Sequence, residues 1–225
     1  MKHPLDTPAW SALGTRHAAL AEGGPLARRY PPSIIPFAAA RDAGEESQAA
    51  LGALPRAGET MAIVQADPIA LPPNCVALAA AEVVQMTLRR PPERTHDARI
   101  EKLGDADAAE MLTLAQLTNP GPFTLRARAL GDFFGIRLDG RLAAMAGERM
   151  SVDGYAEVSG VCTHPDFRNR GLSRALSAFM AHRFLDRGDT PFLHAYTTNA
   201  AAIGLYEAMG FATRAVLNVM MVRRE

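Results

Sequence analysis

Cysteine is scarce in this sequence of 225 residues, which contains only Cys75 and Cys162. Because the two lie far apart and in apolar surroundings, we do not predict a disulfide-stabilised scaffold, and a reducing cytoplasm is expected. The six histidines are scattered, and neither C-x-x-C nor H-x-x-x-H spacing occurs. The sequence therefore predicts no metal site.

Long apolar runs and an excess of charge of one sign are also missing. The amino terminus, Met1–Asp6, lacks the apolar core of a signal peptide, and Glu82 interrupts the longest apolar candidate, Cys75–Val84. Since a bilayer span needs about 18 apolar residues, no membrane association is predicted. The formal net charge is zero, so long-range attraction to nucleic acid is not predicted either.

Nucleotide-binding signatures are absent as well. The sequence contains no G-x-x-x-x-G-K-[ST] motif and no G-x-G-x-x-G after a strand, so neither a kinase-like ATP site nor a Rossmann site is indicated. What the chain does have is 48% hydrophobic residues and enough length for one large domain or two small ones. A packed core is therefore expected.

The segment Val161–Ser173 is the most informative part of the chain. It reads as a strand end, a short basic turn and a glycine before an amphipathic helix that is predicted to end at Gly188. Unpaired N–H groups in the first turn of a helix and the positive end of its dipole favour a phosphate, and Gly171 leaves room for one. The nearby arginines alone would fit a solvated basic face. The glycine and the strand-to-helix context favour an anion site.

Two blocks of sequence resemble the signatures of the GNAT superfamily of N-acetyltransferases. Arg168–Ser173 resembles its acyl-CoA pyrophosphate loop, [QR]-x-x-G-x-[GA], with serine at the last position. Asn199–Phe211 resembles its N-x-x-A-x-x-L-Y-x-x-x-G-F block. The resemblance covers roughly Arg99–Glu225. The lead-in E-V-S-G-V-C-T-H-P, Glu157–Pro165, is similar to the glycine-N-acyltransferase-like branch.

The resemblance implies an α/β (α+β) fold, the GNAT acyl-CoA N-acyltransferase fold. Its mixed central sheet contains two parallel strands that splay apart, and a smaller N-terminal α/β module is expected beside it. Turn signals agree: Asp139-Gly140 and Asp153-Gly154 predict an antiparallel meander. Its strands are Phe133–Leu138, Arg141–Arg149 and Tyr155–Thr163. A further strand, Pro191–Thr197, is predicted to lie parallel to the last of these.

A charged, proline-containing stretch, Arg89–Arg94, predicts a linker. It divides the chain into a module at residues 1–94 and a GNAT domain at residues 95–225. The first module carries no recognisable chemistry. Our interpretation is a degenerate half-copy of the same fold that covers an edge of the second domain and walls the acceptor pocket. Its predicted elements are strands Ile34–Ala40, Met61–Ala66 and Val83–Leu88 and a helix, Ser47–Leu54.

The resemblance also implies roles for individual residues. Tyr206 matches the general acid that protonates the departing thiolate of coenzyme A, although a lone tyrosine would more simply be a packed aromatic. Asn199 matches a position near the cofactor arm and is also a plausible helix N-cap. The residues expected to hold acetyl-CoA are the main chain of Val161, Cys162 and Thr163, together with the loop Arg168, Asn169, Arg170, Gly171, Leu172 and Ser173.

The general base is a separate question. Period-two alternation places Glu157 on one face with Ser159, Val161 and Thr163, where it could accept the amine proton if burial raises its pKa. An ion-paired strand glutamate is the alternative, and Glu148 is the substitute base. A backbone N–H near Val161 or Cys162 is expected to hold the oxyanion. No histidine is placed by the sequence to activate Cys162, so direct transfer is expected rather than an acyl-enzyme.

The sequence thus predicts an acetyl-CoA-dependent N-acetyltransferase that acts on a primary amine of a small molecule or peptide. The alternative is a catalytically silent acyl-CoA-binding regulatory module. The acceptor pocket is expected between the Asn119–Phe123 loop, the hairpin around Asp153 and the segment after Phe211. The expected partners are acetyl-CoA and the amine acceptor, and the last strand, Val216–Arg223, could pair or exchange across a homodimer.

Overall fold

Eleven strands and five α-helices follow one another along residues 3–225, the part of the chain that the computed structural model describes. The strands are β1 (Glu22–Gly23), β2 (Ala27–Arg29), β3 (Phe37–Ala40), β4 (Thr60–Gln65), β5 (Cys75–Leu88), β6 (Ile100–Lys102), β7 (Phe133–Leu138), β8 (Arg141–Val152), β9 (Tyr155–Thr163), β10 (Thr190–Tyr196) and β11 (Phe211–Arg224). The helices are α1 (Pro8–Gly14), α2 (Glu45–Ala53), α3 (Ala108–Thr118), α4 (Leu172–Asp186) and α5 (Ala200–Ala208).

The strands form one mixed sheet in the order β1-β2-β3-β4-β11-β5-β10-β9-β8-β7-β6. Strands β1 to β5 precede the predicted boundary near Thr95, and β5 is inserted between β11 and β10. Residues 91–97 contain neither strand nor helix. The division into domains 1–94 and 95–225 stays a prediction, but hydrogen bonding in the sheet is continuous across it.

Local turn chemistry shapes the meander of β7, β8 and β9. Asp139 and Gly140, between β7 and β8, both have positive φ, and Gly154, between β8 and β9, has φ of 78°. Such turns match the twist of antiparallel strands, and all three strands pair antiparallel as predicted. The meander expected from the sequence is confirmed.

Strands β9 and β10 are parallel neighbours for only three residue pairs. Tyr155–Glu157 pairs with Thr190–Phe192, and beyond that point the two strands diverge. Strand β10 instead continues along β5 on its other side. The main chain of β9 after Glu157 therefore faces a gap, where the predicted splayed parallel strands are found.

Strand β9 contains one residue more than β8 between two paired positions. Ser159 lies opposite Gly147, and Cys162 lies opposite Met145, so one residue of β9 is extra. Gly160, inside this bulge, has φ of 62°, a conformation that glycine adopts without strain.

The bulge reverses which side chains of β9 face each side of the sheet. Before it, Glu157 bonds to Arg149, whose guanidinium lies over Phe37 of β3. After it, Val161 packs against the core formed with α4 and α5. The prediction that one face of the sheet carries Glu157, Ser159, Val161 and Thr163 is therefore wrong.

The last strand lies inside the sheet. Strand β11 begins earlier than the predicted Val216–Arg223 and pairs with β4 on one side and β5 on the other. Between Asn218 and Arg223 its N–H and C=O groups are bonded on both sides, so the expectation that this strand pairs edge to edge across a dimer is wrong, while its exchange across a dimer stays a prediction. Within residues 3–225, none of the helices combines the length and apolar character needed to span a membrane.

Candidate active site

A cavity of about 260 Å³ opens where β9 and β10 diverge. Its walls come from both halves of the chain, and they include the loop at residues 119–122 and part of β11. The hairpin around Asp153 is not part of the lining, so that expectation is wrong. The lining includes Phe37, Ala62, Val64, Ala79, Ala81 and Val83 from the first half and Arg149, Ser159, Gly160, Val161, His194, Tyr196, Asn199, Tyr206, Val219 and Met221 from the second.

The turn before α4 forms an open cradle for an anion. Gly171 precedes the first residue of the helix with φ of 73°, and no side chain caps the first-turn N–H groups. A Cβ placed on Gly171 would meet no atom within 4 Å, so space for a ligand lies over the helix end. Arg168, Asn169 and Arg170 are exposed around it. Free N–H groups, the helix dipole and guanidinium groups together suit a diphosphate.

The cradle is fixed to the end of β9. The hydroxyls of Thr163 and Ser173 lie 2.7 Å apart and bridge the strand to the first turn of α4. At the other end of the helix, Arg183 pairs with Asp132, and Arg187 pairs with two acidic side chains. Arg183 and Arg187 are therefore engaged in ion pairs within the fold, and the arginines near Gly171 are the ones placed to contact a phosphate.

Tyr206 is nearly buried in α5 and lines the cavity. Its ring packs edge-on against Phe211, with 5.9 Å between ring centroids. Burial raises the pKa of Tyr206 to about 12, while the nearby Ser177 hydroxyl acts in the opposite direction. The phenol therefore stays protonated at neutral pH and can donate a proton. Both sequence interpretations, a packed aromatic and a proton donor, are compatible with this position.

Asn199 begins the helix that carries Tyr206. Its side-chain oxygen accepts a hydrogen bond of 3.1 Å from the N–H of Ala202, which is the predicted N-cap role. Asn199 also lines the cavity. Its role beside a bound cofactor stays a prediction.

Glu157 is fully buried and ionised. One carboxylate oxygen accepts 2.5 Å and 2.7 Å hydrogen bonds from Arg149 Nη2 and His194 Nδ1, and the other accepts from Arg149 Nε at 2.9 Å. Burial alone would raise the pKa of Glu157, but Arg149 and His194 outweigh it and hold that pKa at about 2. The expected rise in pKa is therefore wrong, and the geometry is that of the ion-paired glutamate.

His194 connects Glu157 to the cavity, and sequence reasoning missed it. The amide of Gln85 donates to the carbonyl of Leu5, and its oxygen accepts from Arg214, so its orientation is fixed. The same amide nitrogen lies 2.9 Å from His194 Nε2. Nε2 must therefore be the acceptor, while Nδ1–H donates to Glu157. Both ring nitrogens of His194 therefore have a partner in the folded chain. A lone histidine in the apolar strand P-F-L-H-A-Y was the available signal.

The substitute base, Glu148, lies outside the cavity lining. Its carboxylate accepts hydrogen bonds from both terminal nitrogens of Arg187, at 2.6 and 2.9 Å, and from the Ser151 hydroxyl. Asp189 and Arg16 join the same ion-pair cluster. Glu148 is therefore occupied in a network away from Tyr206, and the structure does not bring it to the cavity.

Cys162 is an unreactive thiol in this fold. Both cysteines are free and buried, and burial raises the pKa of Cys162 to about 11. A thiol that is not ionised near neutral pH is a poor nucleophile. Among residues 3–225, no group of three or more histidine, cysteine, aspartate or glutamate side chains is arranged to hold a metal ion.

Known proteins share both the sequence pattern and the fold. Residues 133–219 match the family model described as FR47-like protein. A crystal structure from Novosphingobium aromaticivorans DSM 12444, described under the GNAT family of acetyltransferases, superposes with a TM-score of 0.93 at 38% identity over 100% of both chains. This chain belongs to the GNAT family of acetyltransferases. An acetyltransferase from Colwellia psychrerythraea, 15% identical with a TM-score of 0.53, covers 65% of this chain and 58% of its own and shares the fold alone.

Curated relatives match a shorter segment of this GNAT protein. The [ribosomal protein bS18]-alanine N-acetyltransferase of Escherichia coli K12 is 35% identical over 79 residues, which is 35% of this chain and 53% of the relative. The Salmonella typhimurium LT2 enzyme of the same name is 39% identical over 74 residues, or 32% of this chain and 49% of the relative. The chain therefore spans about half the length of these relatives.

Proposed function

We propose that this GNAT protein is an acetyl-CoA-dependent N-acetyltransferase that moves an acetyl group directly from the thioester to a primary amine of a small molecule or peptide. The observation that carries the proposal is the position of Tyr206. A buried, protonated phenol lines the gap between β9 and β10, and β9 ends beside the anion cradle at Gly171.

The residues present fit acetyl-CoA, which supplies the acetyl group in activated form. We assign the diphosphate to the loop Arg168–Ser173 and the pantetheine arm to the main chain of Val161, Cys162 and Thr163. That stretch of β9 has no partner strand on the side of the gap and can pair as an edge does. A backbone N–H near the bulge would hold the oxyanion.

The proton transfers involve Tyr206 and solvent. As the amine nitrogen bonds to the acetyl carbon, the carbon–sulfur bond breaks with its electron pair on sulfur, and Tyr206 gives its proton to that sulfur. The amine proton leaves to water, because Nε2 of His194 accepts from Gln85 and Nδ1–H donates to Glu157, so neither ring nitrogen is open to the amine. Water then returns a proton to the phenolate. The products are an amide and free coenzyme A.

Glu157 does not take the proton in this scheme. With its pKa at about 2, the carboxylate is too weak a base for an amine, but it orients the Arg149 guanidinium and the His194 ring. Direct transfer is favoured over an acyl-enzyme, because the Cys162 thiol is buried and not ionised.

The test is Tyr206→Phe in a thiol-release assay with acetyl-CoA and an amine panel. Loss of a general acid typically lowers rates by about 10²–10⁴, so kcat should fall about a hundredfold or more while affinity for acetyl-CoA stays close to that of the parent. Tyr155→Phe is the matched control, because that phenol lies outside the cavity lining and contacts His3. Unaltered turnover in Tyr206→Phe would dismiss the acid role. Tight acetyl-CoA binding with no thiol release for any amine would favour the silent binding module.

The relatives guide the choice of acceptors. Because the curated relatives are named for the alanine of ribosomal protein bS18, the panel should include a peptide with an amino-terminal alanine. Glycine tests the proposed glycine-N-acyltransferase-like branch, and polyamines and aminoglycosides test cationic acceptors. A cytoplasmic location and a homodimer stay proposals.

A further inference from the structure

The cavity wall carries positive charge. Among residues 3–225, no aspartate, glutamate or lysine lines the cavity, and the ionisable side chains of the lining are Arg149, His194, Tyr196 and Tyr206. Arg149 is the permanently charged group in this wall. A polycationic acceptor would find no carboxylate partner on this surface.

Arg149 has one edge free to bind a ligand. Its Nε and Nη2 are bonded to Glu157, whereas Nη1 has no hydrogen-bond partner among residues 3–225. Nη1 lies 3.8 Å from the place that a Cβ on Gly121 would occupy, and the guanidinium carbon lies 5.1 Å from the Phe37 ring centroid. Gly121 and Phe37 both line the cavity. The unpaired N–H groups therefore face the space where an acceptor would sit.

The floor of the same cavity is apolar. Strand register aligns Val64, Val219 and Ala81 in one row. A second row contains Ala62, Met221 and Ala79. These side chains come from three neighbouring strands and line the cavity together. They suit an aliphatic group and offer no hydrogen bond to a polar one.

The position of Arg149 also indicates what the acceptor carries. Arg149 and Tyr206 line the same cavity, so a ligand group bound to Arg149 Nη1 lies in the same space as the proposed proton donor. Two N–H groups of Arg149 already bond to Glu157, and a carboxylate on Nη1 would be a second anion on the same guanidinium.

We infer that the acceptor is a free α-amino acid with an aliphatic side chain, and that Arg149 binds its carboxylate through Nη1 while the aliphatic side chain rests on the β4–β11–β5 floor. The inference depends on the proposed function and narrows it. An amine and a carboxylate on one carbon match a cavity that presents Tyr206 and Arg149 together.

The test compares leucine, leucinamide and 3-methylbutylamine as acceptors for the unaltered protein in the thiol-release assay. Leucine should have kcat/KM at least tenfold above either analogue, because each lacks the charge-assisted bond to Arg149. Leucinamide is a stringent control, since its less basic amine supplies more of the neutral, reactive form. Arg149→Lys keeps the charge but loses the Nη1 N–H groups that would bind the carboxylate. The ratio of kcat/KM for leucine to kcat/KM for 3-methylbutylamine should therefore fall toward one.

The possible failures are distinguishable. Thiol release with leucinamide, 3-methylbutylamine, spermidine or an alanine peptide that equals or exceeds release with leucine would overturn this inference and leave the proposed function intact. No thiol release with any amine would overturn the proposed function itself. The comparison of acceptors uses the unaltered chain, so it does not depend on how well Arg149→Lys folds.

Discussion

Glu157→Gln tests the buried charge network beneath the cavity. Glu157 is fully buried, and its pKa is lowered from 4.5 to about 2 by Arg149 and His194. A shift of this size corresponds to about 3 kcal/mol of stability at neutral pH, and removing one partner of a buried pair typically costs about 3–5 kcal/mol. We therefore expect the free energy of unfolding at pH 7 to fall by about 3 kcal/mol in the variant.

The pH dependence gives the sign of the effect. Because the folded-state pKa is depressed, the contribution of Glu157 is fully present above its unfolded pKa of about 4.5 and is lost as pH falls toward 2. Urea unfolding of parent and variant should thus show a stability difference that is constant near neutral pH and shrinks as the solution is acidified below about pH 5.

An exposed carboxylate provides the control for this measurement. Glu101, whose side chain is 51% exposed, pairs with Arg137 at the surface, so Glu101→Gln should cost less than about 1 kcal/mol. A loss in Glu157→Gln no larger than in Glu101→Gln would refute the reasoning. So would a difference between parent and Glu157→Gln that does not change on acidification.

Three further predictions concern the catalytic parts. Since the pKa of Tyr206 is raised to about 12, kcat should not fall between about pH 8 and pH 10; a pH–rate profile with an alkaline midpoint in that range would argue against Tyr206 as the acid. Gly171→Ala strains the backbone at φ of 73° and narrows the cradle, so we expect the Kd for acetyl-CoA to rise about tenfold. Gly188→Ala, at φ of 84° in equally open space, is the control, because it should cause similar strain without weakening binding. Equal affinities of the two variants for acetyl-CoA would show that the cradle does not bind this ligand. Iodoacetamide at about pH 8 should leave Cys162 unmodified in the folded protein and activity intact; rapid labelling of Cys162 with inactivation, read by mass spectrometry, would contradict direct transfer.

Much of the fold could be predicted because its signals are local. The Asp-Gly turns determined β7, β8 and β9, and β7 and β9 have the predicted bounds. The apolar stripe and Gly188 determined α4, which ends at Asp186. Turn residues and helix periodicity act over a few positions, so one sequence is enough to identify them.

Features that depend on distant strands were not predictable in the same way. The first half of β5 is a run of mostly alanine whose strand state depends on pairing with β11, and the sequence indicated only Val83–Leu88. The bulge at Gly160 adds one residue without a strong sequence signal. Glu157 was therefore wrongly predicted to lie on the same face of the sheet as Val161 and Thr163. Sheet order and register are long-range properties.

The candidate site was therefore only partly predictable. Motifs located Gly171, Asn199 and Tyr206, and the structure brings Tyr206 and Asn199 into one cavity with Val161. The partners of Glu157 could not be found in the same way, since Arg149 and His194 come from strands on either side of β9. Nor does a motif indicate that Phe37 and Val64, from the first half of the chain, line the cavity.

Calorimetric titration of the purified protein with acetyl-CoA tests the central claim most directly. The account predicts saturable binding of one molecule per chain, weakened in Gly171→Ala and retained in Tyr206→Phe. Absence of any binding to the unaltered protein would contradict the assignment of the cradle and of the reaction that depends on it.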